Sequence, residues 1–327
     1  MKALLTEFDA ADPIDAIITW VDGNAPDHRA TRARFMAQSG GPLGENARNP
    51  HRWEQSDEIY FCLRSIHHHA PWVRYIWLLV EGAGPDLECL PEALRAKVRI
   101  ARHSEVFGEY AAVLPTFNSL AIESMMWRIE GLSERFLYFN DDVFLTAPLA
   151  PQDMFEGESP VLRGAWRDYA ALADDSAARD DPALFNHFMQ INAARLADVA
   201  PGRVFAAAHV VHPMRRSVMQ TLFDTHRAAF EANISHRFRD LSQFLPQGLH
   251  NHHCIGAGLA MLRQQTEHLH IKSGQGAGNA PALTRGLLLA EAMAGVRFLC
   301  VNDLPQLEAL VPDARALIDR VTGGRAG

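Results

Sequence analysis

Three polar residues interrupt an apolar stretch in Arg135-Phe136-Leu137-Tyr138-Phe139-Asn140-Asp141-Asp142-Val143-Phe144. Burying an amide and two carboxylates in a core strand costs free energy unless they find partners. A bound Mg²⁺ or Mn²⁺ offsets that cost, because hard divalent cations take carboxylate oxygens and keep waters or substrate phosphates as their other ligands. A turn in which Asn and Asp cap the backbone is the competing account. Neighbouring side chains of an extended chain point opposite ways, so both carboxylates need not reach one ion.

Other groups suited to chemistry lie far away in the chain. Thr19-Trp20-Val21-Asp22-Gly23 puts an aromatic face, a carboxylate and a permissive backbone at the end of an apolar run. Such a set can stack on a base and bind ribose hydroxyls, or can be a core Trp followed by an ordinary Asp-Gly turn. The segments Ala208 to Arg216 and Ser235 to Asp240 concentrate His and Arg, including His209, His212, Arg216, His236 and Arg239. Phosphoryl transfer uses both types: guanidinium forks neutralise phosphate oxygens, and a neutral imidazole accepts the proton of an attacking hydroxyl. A satisfied structural histidine is the plainer reading of each one taken singly. The runs His67-His68-His69 and His250, His252, His253 do not make a zinc site, since three consecutive helical residues spread around the helix and the second run lacks the usual carboxylate spacing. No G-x-S-x-G elbow is present.

These groups need elements to position them. Ile14 to Trp20, Tyr75 to Val80, Val98 to Ala101, Arg135 to Asn140 and Val296 to Val301 read as buried strands. Asp57 to Ala70 and Asn118 to Ile129 read as helices between them. Strands alternating with helices predict an α/β fold with a mostly parallel sheet. Ligands then collect beyond the carboxyl ends of the strands. The second half reads as a helical subdomain, with Asp181-Pro182 opening one helix and Pro213 another. Gln38 to Pro50 and Lys272 to Ala280 read as loops, the second a connector rather than a phosphate cradle.

Composition narrows the function. A chain of 327 residues that is 48% hydrophobic buries a large core. A formal charge of -8 opposes nucleic-acid binding, while a few inward Arg residues still serve a small phosphate ligand. Cys62, Cys89, Cys254 and Cys300 form no CxxC pair, so neither a disulfide framework nor a Cys-based zinc site is indicated. Met1 to Pro13 lacks the pattern of a signal peptide, and no apolar run reaches eighteen residues. A cytoplasmic protein is expected, compatible with peripheral association at the inner face of the membrane.

Taken in order, these blocks resemble the Stealth family, which includes bacterial capsule-polysaccharide phosphotransferases and the catalytic subunit of the animal N-acetylglucosamine-1-phosphotransferase. The first block is Ile14 to Gly23. The second runs through Leu63-Arg64-Ser65-Ile66, Ala70 to Arg74, Leu114 to Ser119, Ala121 to Ser124 and Arg128 to Ser133, ending at Tyr138 to Val143. His209 to Gln220 with His236 to Arg239 is similar to the third, and Phe298 to Asp303 to the fourth. The resemblance implies a nucleotide-binding sheet like that of metal-dependent (GT-A-like) glycosyltransferases. It implies one catalytic unit over 1–327, with an α/β nucleotide-sugar and metal core at 14–160, a helical insertion at 180–270 carrying His209 and Arg239, and a return strand and C-terminal helix at 281–327.

Carried over residue by residue, the resemblance assigns substrate binding to Asp15, Trp20, Val21, Asp22, Gly23, Asn118, Arg216, His236 and Asn302. It assigns metal binding to Asp141, Asp142 and Asp303, and catalysis to His209, Arg239, Arg64 and Asp142. The implied partners are a UDP-sugar donor and a saccharide acceptor, with a membrane polysaccharide-export complex as a candidate associate. The implied reaction moves an N-acetylhexosamine 1-phosphate to an acceptor hydroxyl and releases UMP, with Mg²⁺ or Mn²⁺ as cofactor. Ordinary glycosyl transfer releasing UDP and an inactive sugar-nucleotide module are the alternatives. Asp57-Glu58, Glu81-Gly82-Ala83-Gly84, Leu120, Met125 and Leu304 depart from the family pattern, and these departures bear on the acceptor more than on the reaction.

Overall fold

The computed structural model describes residues 12–39, 44, 56–264, 267–272 and 295–324. Its main sheet has the order β3-β2-β1-β4-β9, with β1 Ile14–Trp20, β2 Ile76–Val80, β3 Val98–Arg102, β4 Arg135–Asn140 and β9 His212–Arg215. The first four strands are parallel, in the register Trp20↔Val80, Thr19↔Asn140 and Val80↔Arg102, so their carboxyl ends share one edge. Strand β9 runs antiparallel to β4. The expected α/β architecture with a mostly parallel sheet is what the chain adopts.

Alternation along each strand divides the core in two, because successive side chains leave opposite faces of a sheet. Ala16, Ile18, Leu137 and Phe139 face one side, packed with Ile59, Cys62 and Ile66 of the helix Glu58–His69 and Leu307, Leu317 and Ile318 near the C-terminus. Ile17, Phe136 and Tyr138 face the other, against Leu120 and Met125 of the helix Ser119–Met125 and Phe188 and Ile191 of the helix Phe185–Leu196. Both faces are covered, which is why these strands read as continuous apolar runs.

The 180–270 segment is not purely helical. It holds β8 Val204–Ala207, β9 and β10 Met261–Arg263 as well as helices. Pro213 opens no helix: it lies inside β9, opposite Leu137, and the helix begins at Arg216. Proline is tolerated there because β9 is the edge strand and needs ladder bonds on one side only. Asp181 does cap the turn ahead of Phe185–Leu196, accepting from Ala183 N at 2.9 Å.

After β4 the chain turns through Asp141 and Asp142 into β5 Val143–Leu145, which leaves the main sheet. It joins a second sheet of order β11-β12-β5, with β11 His268–Lys272 and β12 Phe298–Asn302. A third sheet is built around β7 Ser159–Arg167, with β6 Phe155–Glu156, β8 and β10. The expected loop over Lys272 to Ala280 lies almost wholly outside the described residues, as does most of Gln38 to Pro50. No helix among the described residues is long and apolar enough to cross a membrane.

Candidate active site

The two sheets meet at the Asp141-Asp142 turn, and three distant segments converge on it. Because β9 runs against β4, its first residue His212 pairs with Tyr138, and the residues just before it arrive at the carboxyl edge of the parallel strands. That delivers His209, whose Nε2 lies 3.9 Å from Asp142 Oδ1. Cys300 pairs with Val143 across β12 and β5, so the end of β12 lies alongside the same turn. Asn302 Nδ2 donates to Asp142 Oδ2 at 2.8 Å, and Cys300 Sγ stands 3.7 Å from that oxygen. From β11, the His270 ring stacks on His209 at 5.2 Å and hydrogen-bonds through Nε2 to Asn302 Oδ1.

A relay turns the Asn140 side chain toward His209. Tyr138 OH donates to Asn140 Oδ1 at 2.6 Å, which turns the Asn140 amide so that Nδ2 lies 3.4 Å from His209 Nε2. Asp142 Oδ1 has no hydrogen-bond partner. Asp142 Oδ1 and His209 Nε2 thus face each other across 3.9 Å, a gap suited to a proton or a cation. Burial works to raise the Asp142 pKa, but His209, His270 and Cys300 outweigh it and hold the group below the ordinary carboxylate value.

Arg239 enters from the loop that follows the helix Arg227–Ser235. That loop is pinned by Phe117 N donating to Arg237 O at 2.8 Å and by the Phe117–Phe238 stack at 5.3 Å. Arg239 Nη2 donates to Ser119 Oγ at 2.7 Å. Burial lowers the Arg239 pKa, opposed by Glu123, Tyr138 and Asp142. Burial raises that of Glu123, with Arg239 opposing. Glu123 is 4% exposed and its Oε2 has no hydrogen-bond partner. A guanidinium, a carboxyl and a phenol therefore sit together beside the Asp142–His209 pair.

Several expected site residues do other work. Asp15, at the opposite end of β1, is fully buried and accepts from Arg74 Nε and Nη2, Tyr75 N, Trp77 Nε1 and Ser133 N at 2.6 to 3.2 Å. Its oxygens are used up, so it anchors the sheet rather than a substrate. Arg64 turns to the C-terminal helix and pairs with Asp319 at 2.6 Å instead of reaching the phosphates. Arg216 starts its helix with its N–H on Glu134 O, at the amino end of β4 and away from the turn. Asn118 is buried as the N-cap of Ser119–Met125, donating to His236 O and Gln243 Oε1. His236 bonds Ser242 Oγ at 3.1 Å, beside a surface cavity. Asp303 caps the helix Leu304–Leu310 by accepting from Gln306 N at 3.3 Å.

At the carboxyl end of β1, Trp20 is half-buried and Asp22 Oδ1 accepts from Asn24 N and Ala25 N, so Asp22 shapes the turn into the helix Pro26–Gln38. Val21 and Gly23 form that turn. Among the described residues, the donor atoms gathered for a cation come from Asp142, His209 and Cys300, all within 4.8 Å of one another. Asp141 and Asp303 do not join that group. Asp141 is the alternate residue of the turn, and Asp303 Oδ1 caps the helix that follows β12. The orphaned Asp142 Oδ1 and the His209 Nε2 facing it fit a divalent ion.

Sequence reading missed Glu123, Tyr138 and His270. Tyr138 alternates with the core positions of β4 and reads as one of them. Glu123 does carry a signal, a carboxylate in the buried stripe of Ala121, Ile122 and Met125. His270 carries none, because β11 reaches the site only through its pairing with β12.

Residues 12–40 match the family profile described as Stealth protein CR1, conserved region 1, and residues 52–161 match Stealth protein CR2, conserved region 2. Bearing both conserved regions in order, the chain belongs to the Stealth family. Two relatives from Streptomyces coelicolor are named exopolysaccharide phosphotransferases. One is 35% identical over 77% of this chain and 42% of its own length, the other 32% over 94% and 49%. The exopolysaccharide phosphotransferase CpsY of Mycobacterium tuberculosis is 28% identical over 90% of this chain and 53% of its own. The chain spans about half the length of the curated relatives it matches. Among solved structures, the apo bifunctional glycosyltransferase WbbM overlaps it with a TM-score of 0.46 at 14% identity, covering 97% of this chain and 53% of that one.

Proposed function

We propose that the chain transfers a sugar 1-phosphate from a UDP-sugar to a saccharide hydroxyl, forming a phosphodiester and releasing UMP, in the making of a cell-surface polysaccharide. The observation that carries this reading is the meeting of Asp142, His209 and Arg239, from three separate segments, at the carboxyl edge of the parallel strands. Relatives named exopolysaccharide phosphotransferases support it.

In this reading the acceptor oxygen attacks the phosphorus that bears the sugar. The bond from that phosphorus to the bridging oxygen breaks, and UMP leaves with that oxygen. His209 Nε2, 3.9 Å from Asp142 Oδ1, takes the acceptor proton. Arg239 stabilises charge on the transferring phosphoryl group, and the Glu123 carboxyl beside it sets its position. One nitrogen cannot both ligate a cation and accept a proton, so a bound ion would be held by Asp142 Oδ1 together with substrate phosphates. A bound Mg²⁺ or Mn²⁺ supplies neutralisation of the diphosphate. Trp20, Val21, Asp22 and Gly23 lie on the same sheet edge, where the nucleotide end of the donor fits, and Asn302 keeps Asp142 oriented. We assign the protein to the cytoplasm, with peripheral contact to an export complex at the membrane.

The test is nucleotide release. The protein is incubated with UDP-N-acetylglucosamine, then with a panel of UDP-sugars, in Mg²⁺ or Mn²⁺ with saccharide acceptors, and UMP is resolved from UDP. UMP with a phosphodiester product is expected. UDP instead makes it an ordinary glycosyltransferase, and donor binding with neither nucleotide released makes it an inactive module.

A further inference from the structure

Behind the loop that carries Arg239 lies a solvent-open cavity of about 500 Å³, between the helices Phe185–Leu196 and Arg227–Ser235. Asn192, Arg195, Leu196, His236, Ser242 and Phe244 line it. One wall is apolar and the other carries a guanidinium, an imidazole and a hydroxyl. Arg195 makes a single long hydrogen bond, 3.5 Å to Ala173 O, and among the described residues no carboxylate lies within ion-pair range of it. The nearby Asp240 carboxylate is turned onto Ser242, accepting at Oδ1 from Ser242 N at 2.9 Å and Ser242 Oγ at 2.6 Å. A guanidinium without an ion-pair partner, beside a sugar-sized depression, has the chemistry to hold an anionic saccharide.

Hydrogen bonds link the floor of the cavity to the active site. Gln243 Nε2 donates to Asn233 O at 2.8 Å, and Asn233 Nδ2 donates to Ser124 Oγ at 2.8 Å. Gln243 Oε1 accepts from Asn118 Nδ2 and from Asp240 N, the residue after Arg239. Asn118 caps the helix whose Ser119 holds Arg239 and whose Glu123 lies beside it. The cavity and the reacting groups thus lie on the two sides of one hydrogen-bonded loop.

We propose that this cavity is an acceptor subsite that holds a phosphodiester-bearing saccharide, with Arg195 on the phosphate. The proposal rests on the reading above, in which the product itself contains such a linkage, so a chain already extended is held better than an unextended one.

The direct test needs no turnover. A synthetic disaccharide joined through a phosphodiester, and its uncharged glycosidic counterpart, are titrated calorimetrically into the full chain without donor. The charged probe is expected to bind at least about tenfold more tightly, and Arg195→Ala or Arg195→Gln to remove about that factor, the size of one charge-assisted hydrogen bond. Ala232→Trp, which fills the cavity from an exposed lining position, is expected to weaken it likewise. Equal binding of the two probes, unchanged binding in these variants, or displacement of the probe by UMP overturns the subsite. In turnover, Arg195→Ala is expected to raise KM for a phosphodiester-bearing acceptor and to leave KM for a short uncharged acceptor unchanged. Equal effects on both acceptors overturn the role in transfer. A failure of UMP release would appear in the nucleotide assay alone and leave the binding result standing.

Discussion

Replacing Asp15 with alanine removes one carboxylate that five donors share. Tyr75 N, Trp77 Nε1 and Ser133 N lose their acceptor inside the fold, at 3.2, 3.1 and 3.0 Å in the intact protein. Each stranded donor costs about 1 kcal/mol. The Arg74 guanidinium, 35% exposed, returns to water and adds roughly 1 kcal/mol at most. The sum is about 4 kcal/mol. At about 2.1 cal/mol/K per residue, a chain of this size has an unfolding entropy near 0.7 kcal/mol/K, so Tm falls by about 6 °C. Calorimetry on Asp15→Ala and Asp15→Asn, beside donor KM and kcat per folded molecule, separates structure from recognition. A lower Tm with unchanged donor KM is expected. An unchanged Tm with a raised donor KM would refute the reasoning and return Asp15 to the substrate.

His209→Ala is expected to lower kcat by roughly 10² to 10⁴ while donor affinity, measured by calorimetry, stays within a few fold; undiminished turnover removes it as base. Arg64→Ala breaks the 2.6 Å pair with Asp319 and should lower Tm by a degree or two without changing kcat; a hundredfold loss of kcat would place Arg64 back at the phosphates. Burial pushes His212 down to about 3 and His250 and His252 down to about 4, from an ordinary 6.5. The unfolded chain therefore takes up protons near pH 6.5 that the folded chain refuses. Stability is full above that value and falls as pH drops toward 4, by about 2 kcal/mol per group at pH 5. Urea midpoints from pH 8 to pH 5 check this, and a flat profile contradicts it.

The four parallel strands of the main sheet and the helices Glu58–His69 and Ser119–Met125 were legible because burial on both faces writes them as apolar runs and local breakers bound them, whereas the exposed helix Pro26–Gln38 and the short strand Val143–Leu145 were not. The observed β1 and β4 carry the expected bounds, Ile14–Trp20 and Arg135–Asn140. The Asp141-Asp142 turn was legible for the opposite reason, since carboxylates in such a run demand partners. Long-range pairing was not legible. Pro213 looked like a helix start because nothing local says that the next stretch adds an edge strand to β4. Nor does spacing tell a carboxylate aimed at substrate from one saturated by its own fold: Asp15 and Asp142 look alike in sequence, and only the five donors around the first and the unpartnered oxygen of the second divide them. The sequence by itself determined which residue types were available and that a parallel sheet would carry them. The tertiary structure decided which ones meet. The direction of β9 and the pairing of β12 with β5 set His209 and Asn302 beside Asp142, across separations of 67 and 160 residues that no local periodicity encodes.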